Sequence, residues 1–285
     1  MNQELLASLQ SAHDALDPQF KTLRAATGVL NRAIRLASQD QLDAIAMQKV
    51  LVKLEEAAAS LDNRALNAAA AAFAAQTQHG LDALAFEFAR DLKMAFEQRG
   101  QTVEGRPPTL VVDSLTLQID TVARKAQWYY GKEALTKPIV LSINAIQKAY
   151  DRQQKSIVER QIDVPAFVAE LHQAWQDQID KRQRRPTGGR INLVEVYSQL
   201  TLNRQSARFW NSPSRSTFRD YDRPHFVRDL VLAQEAPTVT VDGKTLFLRL
   251  GVATKSQAGN PMRSIWLPQT ALDGEYYSDL AFLEE

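Results

Sequence analysis

The chain has 285 residues, 45% apolar and 24% charged, with no cysteine and a formal net charge of +1. That length and apolar fraction suffice for a sizeable core and about two domains. The lack of cysteine excludes disulfides, thiolate metal sites and cysteine nucleophiles, no apolar run approaches the ~18 to 20 residues that span a bilayer, and the first residues lack the basic start and apolar core of a signal peptide, so the expected setting is cytoplasmic, without membrane contact.

Residues 1–99 hold only Pro18, Gly28 and Gly80 as helix breakers. Apolar residues recur at helical spacing, as in Leu5, Leu9 and Leu16, then Leu23, Leu30 and Ile34, then Leu51, Leu54 and Leu61. The pattern predicts three or four long helices in antiparallel hairpins, with junctions at Ser38-Gln39-Asp40 and Leu61-Asp62-Asn63, where Ser, Asp and Asn supply N-cap acceptors. The alanine-rich run 67–76 lets another helix approach closely, within the chain or through self-association. No strict heptad is sustained, so a long coiled coil is not expected.

At Gly100 the composition changes. GQTVEGRPP, residues 100–108, reads as a linker, and period-two alternation then predicts strands at 109–112, 115–120 and 125–130. Trp128, Tyr129 and Tyr130 are core residues or a base-stacking platform. Residues 138–160 return to helical periodicity. Asp163 caps a helix over 164–182 that Pro186, Gly188 and Gly189 terminate, and further helices are predicted at 191–207 and 223–234. Asp242-Gly243 between two β-rich runs predicts a hairpin, followed by a flexible segment, 251–261, and a short strand at 264–267. The acidic tail 273–285 is solvated or folds back onto the arginines. The expected class is thus mainly α with a smaller α+β part: a helical assembly region (1–99), a linker with a small antiparallel sheet and connecting helix (100–162), and a basic α+β region with an acidic tail (163–285).

Function concentrates between Lys181 and Arg228, where eleven cations, ten of them arginine, meet only Glu195, Asp220 and Asp222. Arginine forks suit phosphate and stack on bases, and Phe209, Trp210, Phe218 and Tyr221 are interleaved with them. The order of helices, hairpin and strand over 164–267 resembles a winged-helix domain. That resemblance implies a groove-facing helix at 223–234 with Arg223, His225 and Arg228 toward nucleic acid, and a wing flanked by Lys255 and Arg263. The connection 208–222 departs from it, being far longer than the ~3 to 4 residues of a helix-turn-helix. The candidate nucleic-acid contacts are Arg182, Arg184, Arg185, Arg190, Arg204, Arg208, Arg215, Arg219, Arg223, Arg228, Lys255 and Arg263.

The leading expectation is a non-enzymatic nucleic-acid-binding protein, with duplex DNA as partner and no cofactor, serving as accessory or sensing subunit of a bacterial multi-subunit machine. Its N-terminal helices would bind a protein partner or a second copy. The helical front with a winged-helix end also resembles kleisin-type subunits, which bridge the ATPase heads of chromosome-organising or plasmid- and phage-defence complexes, so an ATPase partner is the alternative. A third reading is a metal-dependent nuclease. Asp220, Asp222 and His225 have side chains suited to a divalent cation, although Arg219 and Arg223 beside them serve equally well as ion-pair partners. Asp242-Gly243-Lys244 superficially resembles the acidic-x-Lys element of restriction-type nucleases, but at a hairpin tip. No phosphate-binding loop or nucleophile-elbow motif is present.

Overall fold

The computed structural model describes residues 2–39 and 42–284; Asp40 of the first expected junction and Glu285 of the acidic tail lie outside the described residues. The chain is 53% helical and 19% strand, and both sheets are antiparallel, which makes it α+β with a long helical front. It divides into two compact units, residues 1–92 with 120–124, and residues 93–119 with 125–285. No helix among the described residues is long and apolar enough to cross a membrane.

The first unit is built from α1 (Asn2–Ala37), α2 (Ala44–Ser60) and the larger part of α3 (Arg64–Glu97). Two side-chain caps start the second and third helices. Asp43 Oδ1 accepts from the backbone N–H of Ile45 and Ala46, and Asn63 Oδ1 accepts from that of Leu66. Met47, Leu51 and Leu54 of α2 meet Ala33 of α1 and Leu66, Ala70 and Phe73 of α3 in one apolar core. Small residues allow the close packing that the sequence suggested, and a Cβ on Gly80 would lie 2.8 Å from that of Ala44. By contrast, every residue of α1 from Gln3 to Leu16 is exposed.

The second unit contains two sheets. The first runs β1 (Val103–Arg106), β2 (Thr109–Val112), β3 (Leu115–Asp120), β4 (Lys125–Tyr130) and β5 (Glu133–Ala134), with β6 (Ile139–Val140) also pairing with β4. Three of these strands fall where alternation predicts them. The expected linker instead supplies β1, paired in register from Val103 with Val112 to Arg106 with Thr109. It is an edge strand that buries only Val103, so its composition is that of a loop. The inner face packs on α4 (Ile143–Gln153), which a π turn at 154–158 extends. Trp128 and Tyr150 are buried with Phe96, their ring centroids 5.1 to 6.1 Å apart, and Trp128 Nε1 donates to the Ile146 carbonyl at 3.1 Å. Trp128 and Tyr130 are therefore core, not a stacking platform.

The basic region adds α5 (Val164–Asp180), β7 (Ile191–Asn192), α6 (Leu193–Asn203), α7 (Ala207–Asn211) and α8 (Arg223–Ala233), then β8 (Thr238–Val241), β9 (Lys244–Val252), β10 (Ile265–Pro268) and β11 (Gly274–Glu284). The second sheet has the order β10-β11-β9-β8, with β7 also on β11. The acidic tail meets the arginines at one point, where Asp279 lies 3.8 Å from Arg190, but it is not a solvated tail. It is an interior strand whose Leu280, Ala281 and Phe282 are buried, and its carboxylates mask a run that is otherwise β-prone. The two sheets touch at Gly131, which has φ 57° and no room for a side chain: a Cβ there would lie 2.0 Å from Trp266.

Candidate nucleic-acid interface

The structure sorts the candidate cations into those held by the fold and those that face solvent. Arg223, at the start of α8, has all three nitrogens engaged: Nε meets Glu133 Oε1 at 2.8 Å, while the two terminal nitrogens donate to the carbonyls of Pro261 and Ser264. Arg228 donates to the Val158 carbonyl at 2.9 Å and faces the Tyr130 hydroxyl. His225 Nε2 lies 3.0 Å from Ser156 Oγ, and burial holds its pKa below the usual value. The helix that the winged-helix resemblance directs at a groove therefore spends its polar side chains on the sheet and π turn beneath it. Its Asp229, 1% exposed, accepts both Arg160 Nε (2.6 Å) and Nη2 (3.0 Å) and the Tyr221 hydroxyl (2.7 Å). Arg204 pairs with Glu170 and stacks over Tyr221 at 4.1 Å, and Arg182 pairs with Glu195 at 2.6 Å.

Two segments keep their cations in solvent. The first is the turn between α5 and α6. Trp175 Nε1 donates to the Gly189 carbonyl at 2.7 Å and fixes the turn, and Gly189 needs its φ of 62°. Arg184 and Arg185 are exposed there, with no ion pair among the described residues. Arg190, also exposed, lies 3.8 Å from Asp279. Beside the turn, a hollow of about 870 Å³ is walled by His172, Trp175, Arg185, Lys244 and Phe282. His172 packs 4.9 Å from the Phe282 ring, and burial lowers its pKa, which keeps it neutral.

The second is the long connection that departs from helix-turn-helix geometry. Buried Gln205 clasps its two ends: its amide nitrogen donates to the carbonyls of Thr201 and Arg219, and its amide oxygen accepts from the Arg219 N–H at 2.8 Å. Within the loop, Ser206 caps α7, and Phe209 packs against Phe218 and Trp210. Trp210 remains 56% exposed. Around it in the chain are Arg208, Arg215 and Arg219, all exposed and without ion pairs among the described residues. Lys255 and Arg263 are likewise exposed, in the segment between β9 and β10.

This arrangement offers anion contacts and an exposed aromatic plane at Trp210. Among the described residues, no three His, Asp or Glu side chains are placed to hold a metal, so Asp220, Asp222 and His225 do not converge on one. Lys244 and His172 were missed as wall residues because the hollow joins segments distant in sequence. A further basic concentration also escaped notice: Arg32, Arg35, Lys49 and Arg124 line a hollow of about 700 Å³ in the first unit. Arg32 and Arg35 lie on α1, Lys49 on α2 and Arg124 in the turn before β4, so only the fold brings them together. No family model, curated protein or solved structure matches the chain.

Proposed function

We propose that this protein is a non-enzymatic nucleic-acid-binding subunit, with duplex DNA as its first partner, and that binding is carried by the clasped loop 205–219 together with the turn 182–190. The observation that carries the reading is the exposed Trp210 among three unpaired arginines on a loop whose ends are fixed by Gln205. A loop held at both ends presents its side chains without a large ordering cost on binding. The winged-helix element of the reading is supported by the short strand β7 between α5 and α6 and by the β8–β9 hairpin. The commitment of Arg223 and Arg228 moves the contact surface away from α8.

The test is anisotropy of a labelled duplex with the full chain across a salt series. Removing a cation that neutralises one phosphate should flatten the log-log salt dependence by about 0.9, so Arg208→Ala, Arg215→Ala and Arg219→Ala together should flatten it by roughly 2 to 3. Trp210→Ala should weaken binding to a single strand by ~1 to 3 kcal/mol if the ring stacks on a base. No binding at low salt, or a loss of affinity that follows Arg32 and Arg35 instead, would sink the proposal. A second reading, an assembly subunit that binds protein, is favoured by the uncovered apolar side chains of α1.

A further inference from the structure

We propose that α1 is a self-association element, through which two copies of this protein pair antiparallel about a twofold axis near Gln19 and Phe20. The proposal stands independently of nucleic-acid binding.

Three observations carry it. First, α1 is one continuous helix of 36 residues, about 54 Å long, whose residues from Gln3 to Leu16 are all exposed. Second, that half is not polar all round. Leu9, Leu16 and Leu23 fall seven residues apart, Leu6 and Phe20 flank them, and all five are more than half exposed, as is Ile34. These residues share one side of the helix, about a quarter-turn from Ala26 and Ala33, which face the core of the first unit. The apolar seam therefore continues past the point where α2 begins to cover the other face.

Third, charge selects the occupant. From Gln3 to Phe20 the charged residues are Glu4, Asp14 and Asp17, while from Lys21 to Ala37 they are Lys21, Arg24, Arg32 and Arg35. One half is purely acidic and the other purely basic. An amphipathic helix that lies on lipid carries Lys and Arg on its polar face, which the uncovered half lacks. A parallel pair would set like charges side by side. An antiparallel pair centred between Gln19 and Phe20 brings Leu16 across from Leu23 and sets Asp17, which flanks the seam and also pairs with Lys21 of its own helix at 2.6 Å, beside Arg24 of the second copy. A twofold interface has to be complementary to itself, and a helix that reverses its charge at its midpoint meets that condition.

The full chain should sediment as a dimer that dissociates on dilution. Leu9→Glu with Leu16→Glu should weaken dimerisation by roughly a hundredfold or more, because each charge would enter the seam unpaired. Both positions are exposed in the protomer, so circular dichroism should be unchanged. Asp17→Lys should weaken the dimer, and adding Arg24→Glu, which flanks the same side of the seam, should restore it. The chain has no cysteine, so single cysteines report orientation: Phe20→Cys should form a disulfide-linked dimer and Leu9→Cys should not. A monomer at all concentrations, a monomer recovered only on lipid vesicles, a dimer indifferent to the Leu9 and Leu16 changes, or self-linking of Leu9→Cys would each overturn the proposal.

Discussion

Asp229→Ala should destabilise the second unit by about 3 to 4 kcal/mol. Asp229 is 1% exposed, and its two oxygens receive both nitrogens of Arg160 and the Tyr221 hydroxyl. Removing one partner of a buried pair costs about 3 to 5 kcal/mol. Arg160 keeps 30% of its side chain in solvent, so its share falls at the low end. The Tyr221 hydroxyl, left without its acceptor, adds about 1 kcal/mol. Urea unfolding at neutral pH, followed by near-ultraviolet circular dichroism, should show a midpoint lower by roughly 1.5 to 2 M for a slope of ~2 kcal/mol/M. Because Tyr221 also lies under Arg204, the loop 205–219 should loosen before the unit unfolds. Asp229→Leu combined with Arg160→Met and Tyr221→Phe should recover much of the stability, since no buried group is then left unpaired. A loss below about 1 kcal/mol for Asp229→Ala, or no recovery in the triple variant, would refute the view that this cluster holds α8.

Burial lowers the pKa of His172, so the folded state prefers the neutral ring; the stability this gives is present above about pH 6.5 and is lost as pH falls. His172→Phe should therefore flatten the pH dependence of unfolding between pH 7 and 5 relative to the wild type, and an unchanged profile would count against the buried ring. Gln205→Leu should make the segment 206–218 a preferred site of limited proteolysis while leaving the rest of the second unit intact. Its duplex affinity should also drop, because the arginines lose their fixed frame.

Much of the architecture was legible because it rests on local periodicity. The strands at 109–112, 115–120 and 125–130 announce themselves by alternation, and α5 by its Asp163 cap and apolar stripe. The strands that escaped are those whose composition is set by something else: β1 by its exposed edge, and β11 by carboxylates such as Asp279, which sits beside Arg190. The apolar residues of α1 are legible at helical spacing, but their continuity is not. His13 and Thr27 interrupt the seam and Pro18 lies within it, so its seven-residue spacing becomes apparent only along one uninterrupted helix. The fate of Arg204, Arg223 and Arg228 was not legible. Glu133, Glu170 and the Val158 carbonyl, which take up Arg223, Arg204 and Arg228, lie outside the basic stretch, and a local charge count cannot see them.

That division changes how the basic stretch has to be tested. Arg204, Arg223 and Arg228 tie elements of the fold together, and a lysine could not span the carboxylate and two carbonyls that Arg223 meets. Their alanine variants would lose stability, and with it any activity, whatever the partner. Arg184, Arg208, Arg215 and Arg219 form no ion pairs among the described residues, so their removal should leave the stability within about 0.5 kcal/mol of the wild type. Loss of binding in the first group says that the fold matters. Only loss in the second group, with the stability unchanged, says that nucleic acid is held there.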